Sequence, residues 1–267
     1  MVSPVVAILR FLAFTGWTLL LLLPYLLLRL VAPSHSIGYT RFYWRGVTRI
    51  IGYTVVASGA PLESEGPVLF LPNHASYLDI IVLGSLLRAY FVAKAEVAGW
   101  PGLGFLARIS RTVFVDRRPG ATARERNHVR ERLQAGDSLI LFAEGTSNDG
   151  NRVLPFKSAL LSVAEGDVAG SDGEPRPLVV QPISIAYTRL DGLPMSRALR
   201  PFFAWYGDMT LANHLVGALG LGRITVEVEF HRPVTLAEFG TRKGLANHCH
   251  EVVANGVTRL LAGRAAV

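Results

Sequence analysis

One cysteine, Cys249, in 267 residues rules out an internal disulfide framework and any multi-cysteine zinc site. Acidic side chains are missing from the first 62 residues, which hold Arg10, Arg29, Arg41, Arg45 and Arg49. The remainder is close to neutral, with 22 Lys and Arg against 20 Asp and Glu. Charged residues make up only 18% of the chain and hydrophobic ones 50%, which excludes a disordered or collagen-like polymer. The length suits one large domain or two small ones. Several catalytic signatures are also missing: there is no G-x-S-x-G elbow, no Gly-rich loop ending in Gly-Lys-Ser/Thr and no His-Glu-x-x-His. His248 and His250 flank Cys249 on a predicted helix, where i, i+2 spacing sends the two rings to different faces and argues against a metal site.

The N-terminus carries the longest uncharged run, Phe11 to Leu28 between Arg10 and Arg29. As a helix its 18 residues span about 27 Å, just short of a bilayer core of about 30 Å. Pro24 is expected to kink or end that helix, which suits a segment dipping into one leaflet as well as one that crosses. A cleaved signal peptide fits less well, because the run is too long and no A-x-A site follows. From Ser36 to Ile51 a helical period places Ile37, Trp44, Val47, Ile50 and Ile51 on one side and Arg41, Arg45 and Arg49 in a stripe on another. This reads as an interfacial helix on an anionic leaflet, with Tyr39, Tyr43 and Trp44 as anchors; the alternative is a surface helix packed on the globular part. No nucleic-acid-binding motif accompanies these arginines. The chain is therefore expected to divide into membrane-attachment helices at 1–53 and a globular domain at 54–267.

Beyond residue 54, short apolar runs alternate with helical stretches, which predicts an α/β fold with a mixed, mostly parallel sheet flanked by helices. Strands are expected at 54–57, 68–71, 90–93, 112–115, 138–143, 178–186 and 223–230, and helices at 77–88, 122–135, 157–165 and 242–261. The last strand alternates apolar with polar residues and is expected to be antiparallel or at an edge. Residues 166–177 read as a polar Gly/Pro loop.

Three polar clusters each follow an apolar strand: Asn73 to Asp79, Asp116-Arg117-Arg118, and Glu144-Gly145-Thr146-Ser147. Ligand sites of open α/β sheets form beyond the carboxyl ends of strands, so the three are expected to converge. Ser76 and Asp79 fit a capping box with Tyr77 as first helical residue, which leaves His74 in the preceding loop. The Asp79 carboxylate can then hold one imidazole nitrogen while the other takes a proton from a substrate hydroxyl. Taken singly, Asp79 also fits a plain helix cap and His74 a loop histidine. A base without a protein nucleophile points to direct attack by a substrate hydroxyl.

Asn73-His74-Ala75-Ser76-Tyr77-Leu78-Asp79 resembles the N-H-x-x-x-x-D signature of the glycerolipid acyltransferases, the group that includes lysophosphatidic acid acyltransferase. Val113 to Arg117, Phe142 to Thr146 and Val180 to Ile183 resemble that family's further blocks, in order, over roughly residues 54–235. The resemblance implies a glycerol-3-phosphate acyltransferase-like fold, and transfer of a fatty acyl group from acyl-CoA or acyl carrier protein to the sn-2 hydroxyl of 1-acyl-glycerol-3-phosphate. It implies His74 and Asp79 as the catalytic pair, and Asn73, Arg117, Glu144, Gly145 and Thr146 at the acceptor site, with Arg117 on the head group. No metal or redox cofactor is implied, and the expected place is the cytoplasmic face of a bacterial inner membrane. Two residues depart from the pattern: Ser147 stands where the family usually has arginine, and Ala143 where it has proline. Arg152 and Lys157 can supply the lost charge, and lyso-ornithine lipid, which has no phosphate, is the alternative acceptor. A non-enzymatic lipid-binding protein and a hydrolase that uses His74 to activate water are the rivals from other classes.

Overall fold

The computed structural model describes residues 2–64, 66–100, 102–115, 123–170 and 172–264, with the side chains of 123–127 outside the description. Arg117, with Asp116 and Arg118, lies outside the described residues.

Two helices come first, α1 (Pro4–Val31) and α2 (Ser36–Ile50). The sheet is then built from β1 (Tyr53–Ser58), β2 (Val68–Pro72), β3 (Tyr90–Lys94), β4 (Val113–Val115) and β5 (Leu139–Leu141), with α3 (Leu78–Leu86), α4 (Leu103–Ile109) and α5 (Ala123–Gln134) in the connections. A hairpin, β6 (Asp167–Ala169) with β7 (Pro175–Pro177), precedes the long β8 (Val179–Leu190). The chain closes with β9 (Leu193–Pro194), α6 (Leu211–Gly220), β10 (Ile224–Phe230), β11 (Val234–Thr235) and α7 (Arg242–Leu261).

Strand order is β1-β10-β8-β2-β5-β3-β4, with short β9 and β11 added on β8. The run from β8 to β4 is parallel, while β10 is antiparallel to β8 and parallel to β1. The sheet is therefore mixed and mostly parallel, as expected. Residues of β2 alternate between two buried layers: Val68 and Phe70 join Val82, Leu83, Ile185 and Val226 on the side of α2 and α3, and Leu69 and Leu71 join Leu133, Leu161 and Val253 on the side of α5 and α7. Burial on both faces explains why β2 reads as a continuous apolar run.

Several expectations need correction. Pro24 does not end the first helix, which continues to Val31; in the preceding turn the Tyr39 hydroxyl donates to the Leu21 carbonyl. The region 166–177 is a hairpin, because Pro175 and Pro177 tolerate edge pairing. The segment expected as a helix at 157–165 is a 3-10 stretch, Ser158–Ala164. Of the aromatic residues of α2, Trp44 and Tyr43 pack on protein while Phe42 is exposed: Trp44 lies against Gly84 of α3, Val47 is buried, the Tyr43 hydroxyl meets Thr18 Oγ1 at 2.9 Å, and Arg45 Nε donates to Ser85 O at 3.1 Å. Helix α2 thus packs between α1 and α3, with Arg45 and Arg49 left exposed.

Helix α1 lies along this body. Near its start Ser3 N donates to Gly220 O (2.9 Å) and Arg10 to the carbonyls of Leu219 (2.9 Å) and Leu221 (2.6 Å). Near its end Tyr25 and Arg29 both donate to Ile109 O, at 2.8 and 2.7 Å. Its free side is an unbroken helical stripe that includes Val5, Leu9, Leu12, Leu20, Leu23 and Leu27, all exposed. Among the described residues α1 is the one helix long and apolar enough to cross a membrane.

Candidate active site

The site begins where β2 stops. Pro72 has no N–H to offer the ladder, and the Asn73 side chain takes over the pairing: Nδ2 donates to Ile185 O (3.0 Å) and Oδ1 accepts from Ile185 N (2.8 Å). Both ends of that buried amide are committed to β8, so Asn73 sets the position of the next residue. His74 follows in the loop, with its ring stacked on Phe142 at 3.9 Å between centroids.

Asp79 stands in the first turn of α3, which starts at Leu78 and not at Tyr77. Its carboxylate is 0% exposed and accepts four hydrogen bonds. Oδ2 takes His74 Nδ1 (2.9 Å), Ala75 N (2.8 Å) and Ser76 N (2.9 Å), and Oδ1 takes the Tyr187 hydroxyl (2.8 Å). The Ser76 N bond is half of the expected capping box; the other half shifts, because Ser76 Oγ accepts from Leu78 N instead. A carboxylate is an acceptor only, so Nδ1 carries the proton and Nε2 keeps its lone pair. Nε2 makes no hydrogen bond among the described residues. The arrangement is that of a general base with a fixed tautomer.

The third cluster is built under this pair. Buried Glu144 accepts from His74 N (2.6 Å) on one oxygen and from Asn148 Nδ2 (2.8 Å) and Leu154 N (2.7 Å) on the other. Burial pushes its carboxyl up to about 7, against the opposing pull of these hydrogen bonds. Asn148 N in turn donates to His74 O (3.3 Å). Gly145 adopts φ +74°, and a Cβ there would lie 2.8 Å from Lys157 Nζ, so glycine both permits the turn and admits the lysine. His74, Asp79, Glu144, Gly145 and Lys157 are therefore brought together. Thr146 and Arg152 are exposed on the same loop, and the Thr146 hydroxyl donates to Ser147 O (3.4 Å). Arg117 lies outside the described residues.

A further segment reaches the site that the sequence did not signal. Trp205 N donates to Ala75 O (2.9 Å), and Ser147 Oγ donates to Trp205 O (2.5 Å). Trp205 stands edge-on to Tyr77 (6.0 Å) and Trp100 (5.3 Å), and Tyr77 OH meets His214 Nδ1 at 2.9 Å. These rings make an aromatic wall beside His74. Around it Leu199, Phe202, Tyr206, Met209 and Val216 are exposed.

One other grouping imitates a catalytic triad. Ser184 Oγ lies 2.7 Å from His231 Nε2, and His231 Nδ1 lies 3.5 Å from Glu229, which also accepts from Arg259 (2.6 Å). Ser184 is fully buried under α7, bonded to Val253 O, with Gly256 directly against its hydroxyl. No substrate can reach it, and the network ties β8 and β10 to α7. His248 and His250 are packing residues, stacked on Phe239 (4.5 Å) and edge-on to Phe156 (5.8 Å) with Cys249 buried.

Comparison with known proteins shows the family. The family model described as Acyltransferase matches residues 54–186. The chain is 42% identical over 224 residues to the lyso-ornithine lipid O-acyltransferase of Brucella abortus, covering 84% of this chain and 83% of that one. It is 37% identical to the lyso-ornithine lipid O-acyltransferase of Rhizobium meliloti, covering 84% and 76%. The 1-acyl-sn-glycerol-3-phosphate acyltransferase of Neisseria gonorrhoeae is 30% identical, over 74% and 72%. In fold the chain is similar to the crystal structure of the 1-acyl-sn-glycerophosphate acyltransferase PlsC from Thermotoga maritima, with TM-score 0.68, 21% identity and 98% and 97% of the two chains covered. The relatives named for lyso-ornithine lipid share more identity with this chain than those named for 1-acyl-sn-glycerol-3-phosphate. The chain belongs to the acyltransferase family, as a lysolipid O-acyltransferase.

Proposed function

We propose that the protein moves a fatty acyl group from an acyl thioester, on CoA or acyl carrier protein, to the hydroxyl of lyso-ornithine lipid. The observation that carries this reading is Ser147. Where the resemblance to phosphate-binding relatives calls for arginine, this chain places a hydroxyl already bonded to Trp205 O, so the loop offers no guanidinium at that position. The 42% identity to a lyso-ornithine lipid O-acyltransferase supports the same acceptor. Arg117, with Arg152 and Lys157, keeps 1-acyl-glycerol-3-phosphate as the second reading, supported by the more distant glycerol-phosphate relatives.

In the reaction, His74 Nε2 removes the acceptor hydroxyl proton while the oxygen attacks the thioester carbonyl. The tetrahedral intermediate expels the thiolate, which takes the proton back from His74. Asp79 holds the ring and stabilises the imidazolium that forms between these steps. Base catalysis of this kind contributes roughly 10²–10⁴ in rate, and substrate positioning supplies much of the rest. Glu144 and Asn148 hold the acceptor loop against His74, and Lys157 and Arg152 give it positive charge.

Membrane attachment is part of the reading. Pinned to the globular body near both ends, α1 is set to lie in one leaflet with its apolar stripe in lipid, and Phe202, Tyr206 and Met209, in the segment around Trp205, are exposed as well. Residues 1–53 then form the attachment unit of a protein on the cytoplasmic face of a bacterial inner membrane, where the thioester donors are.

The test is product analysis on membranes carrying the protein, given labelled acyl donor and lyso-ornithine lipid. The reading expects O-acylated ornithine lipid. Label appearing only as free fatty acid would mean a hydrolase, and no turnover at all would mean a lipid-binding protein.

A further inference from the structure

The loop that covers His74 carries a carboxylate without a cation. Asp149 is half-buried, and its partners among the described residues are Asn151 N (3.1 Å, to Oδ1) and Asn151 Nδ2 (3.3 Å, to Oδ2). The two other carboxylates of the site are filled, Asp79 by four donors and Glu144 by three. Residues on either side of Asp149 touch the catalytic loop: Asn148 N donates to His74 O at 3.3 Å, and a Cβ on Gly150 would stand 3.7 Å from Ala75 Cβ. The loop is also held from outside, by Asn151 Nδ2 on Arg197 O (3.3 Å) and Arg200 Nη1 on Asn151 Oδ1 (2.9 Å). Asp149 thus sits on a fixed loop between two residues that touch the catalytic loop, with its carboxylate free of any cation among the described residues.

From these contacts we infer that Asp149 receives the ammonium group of a zwitterionic acceptor, while Lys157 and Arg152 on the same loop receive its carboxylate. The inference rests on the lyso-ornithine reading, because an amino-acid head group of that kind carries one side-chain ammonium and one α-carboxylate. The loop suits such a ligand by sign: arginine is absent at position 147, a negative charge stands two residues on, and Lys157 lies over Gly145. A phosphate monoester brings only negative charge, and Asp149 would repel it. Paired to an ammonium at this half-buried position, the carboxylate makes a charge-assisted hydrogen bond that discriminates strongly against an uncharged analogue.

The test compares lyso-ornithine lipid with the same lipid acetylated on its side-chain amine, using wild type and Asp149→Asn. Asparagine keeps an oxygen for Asn151 N, and thermal unfolding checks that the variant folds. Wild type is expected to lose about tenfold or more in kcat/KM on acetylation. Asp149→Asn is expected to lose a similar factor on the parent lipid and to be insensitive to acetylation. Equal wild-type activity on both lipids overturns the inference and leaves the acceptor reading standing, and this comparison needs no variant. An Asp149→Asn enzyme that still discriminates against the acetylated lipid as wild type does overturns the role of Asp149. No wild-type transfer to lyso-ornithine lipid, with transfer to lysophosphatidic acid, overturns the acceptor reading and the inference with it.

Discussion

The Tyr187 hydroxyl donates to Asp79 Oδ1 at 2.8 Å, so the carboxylate that orients His74 is itself held from β8, 108 residues along the chain. Tyr187 is buried among Tyr53 and Phe203, and burial raises its phenol well above the usual range, which keeps it a donor. Replacement by phenylalanine leaves one oxygen of a fully buried carboxylate unpaired. Tyr187→Phe is expected to lower stability by about 1.5–3 kcal/mol in chemical denaturation, and to lower kcat by less than Asp79→Asn does. Wild-type stability in the variant would remove Tyr187 from the account.

His74→Ala is expected to lower kcat by a factor of about 10² or more while the protein stays on membranes. Sedimentation of membranes and an acyl-transfer assay on the same preparation measure both. Retention of substantial activity would take His74 out of the base role.

Glu144 supplies a pH dependence of known sign. Its folded carboxyl, near 7, sits above the ordinary 4.5, so the protonated form is favoured by folding. Its contribution is complete below about pH 4.5 and is lost as pH rises through 7, on the order of 3 kcal/mol in all. The melting temperature of wild type is expected to fall between pH 5 and pH 8 more steeply than that of Glu144→Gln. Parallel slopes would contradict this.

The position of α1 predicts its topology. Both ends of a helix lying in one leaflet face the same compartment, whereas a spanning helix of this length, about 42 Å, would separate them. Val2→Cys and Ser34→Cys, each exposed, are expected to react with an impermeant maleimide from the same side of sealed vesicles, with buried Cys249 as the silent background. Labelling from opposite sides would show that α1 spans.

What was legible in the sequence follows from locality. The apolar runs of β2 and β5 and the alternation of β10 reflect burial on two faces and on one, and they located the strands. The His74–Asp79 pair was legible because a first-turn carboxylate and the loop before it are geometrically coupled within six residues. Tyr187 and Trp205 were not, since their contacts with Asp79 and Ala75 exist only after β8 pairs with β2. Helix α6 was missed for a related reason: it packs chiefly on α1, and Thr210 at its N-cap makes no side-chain capping bond. The rings of α2 left two readings open because an aromatic residue that will meet lipid and one that will meet a neighbouring helix have the same period.

On the proposed reading, His74 is the base that activates the hydroxyl of a lysolipid with an amino-acid head group. Equimolar lyso-ornithine lipid and lysophosphatidic acid, competing for one limiting labelled acyl donor with purified protein in vesicles, test it most directly, because the product ratio equals the ratio of kcat/KM values. Ornithine lipid is expected to take at least about ten times more label than phosphatidic acid. Label mainly in phosphatidic acid would contradict it.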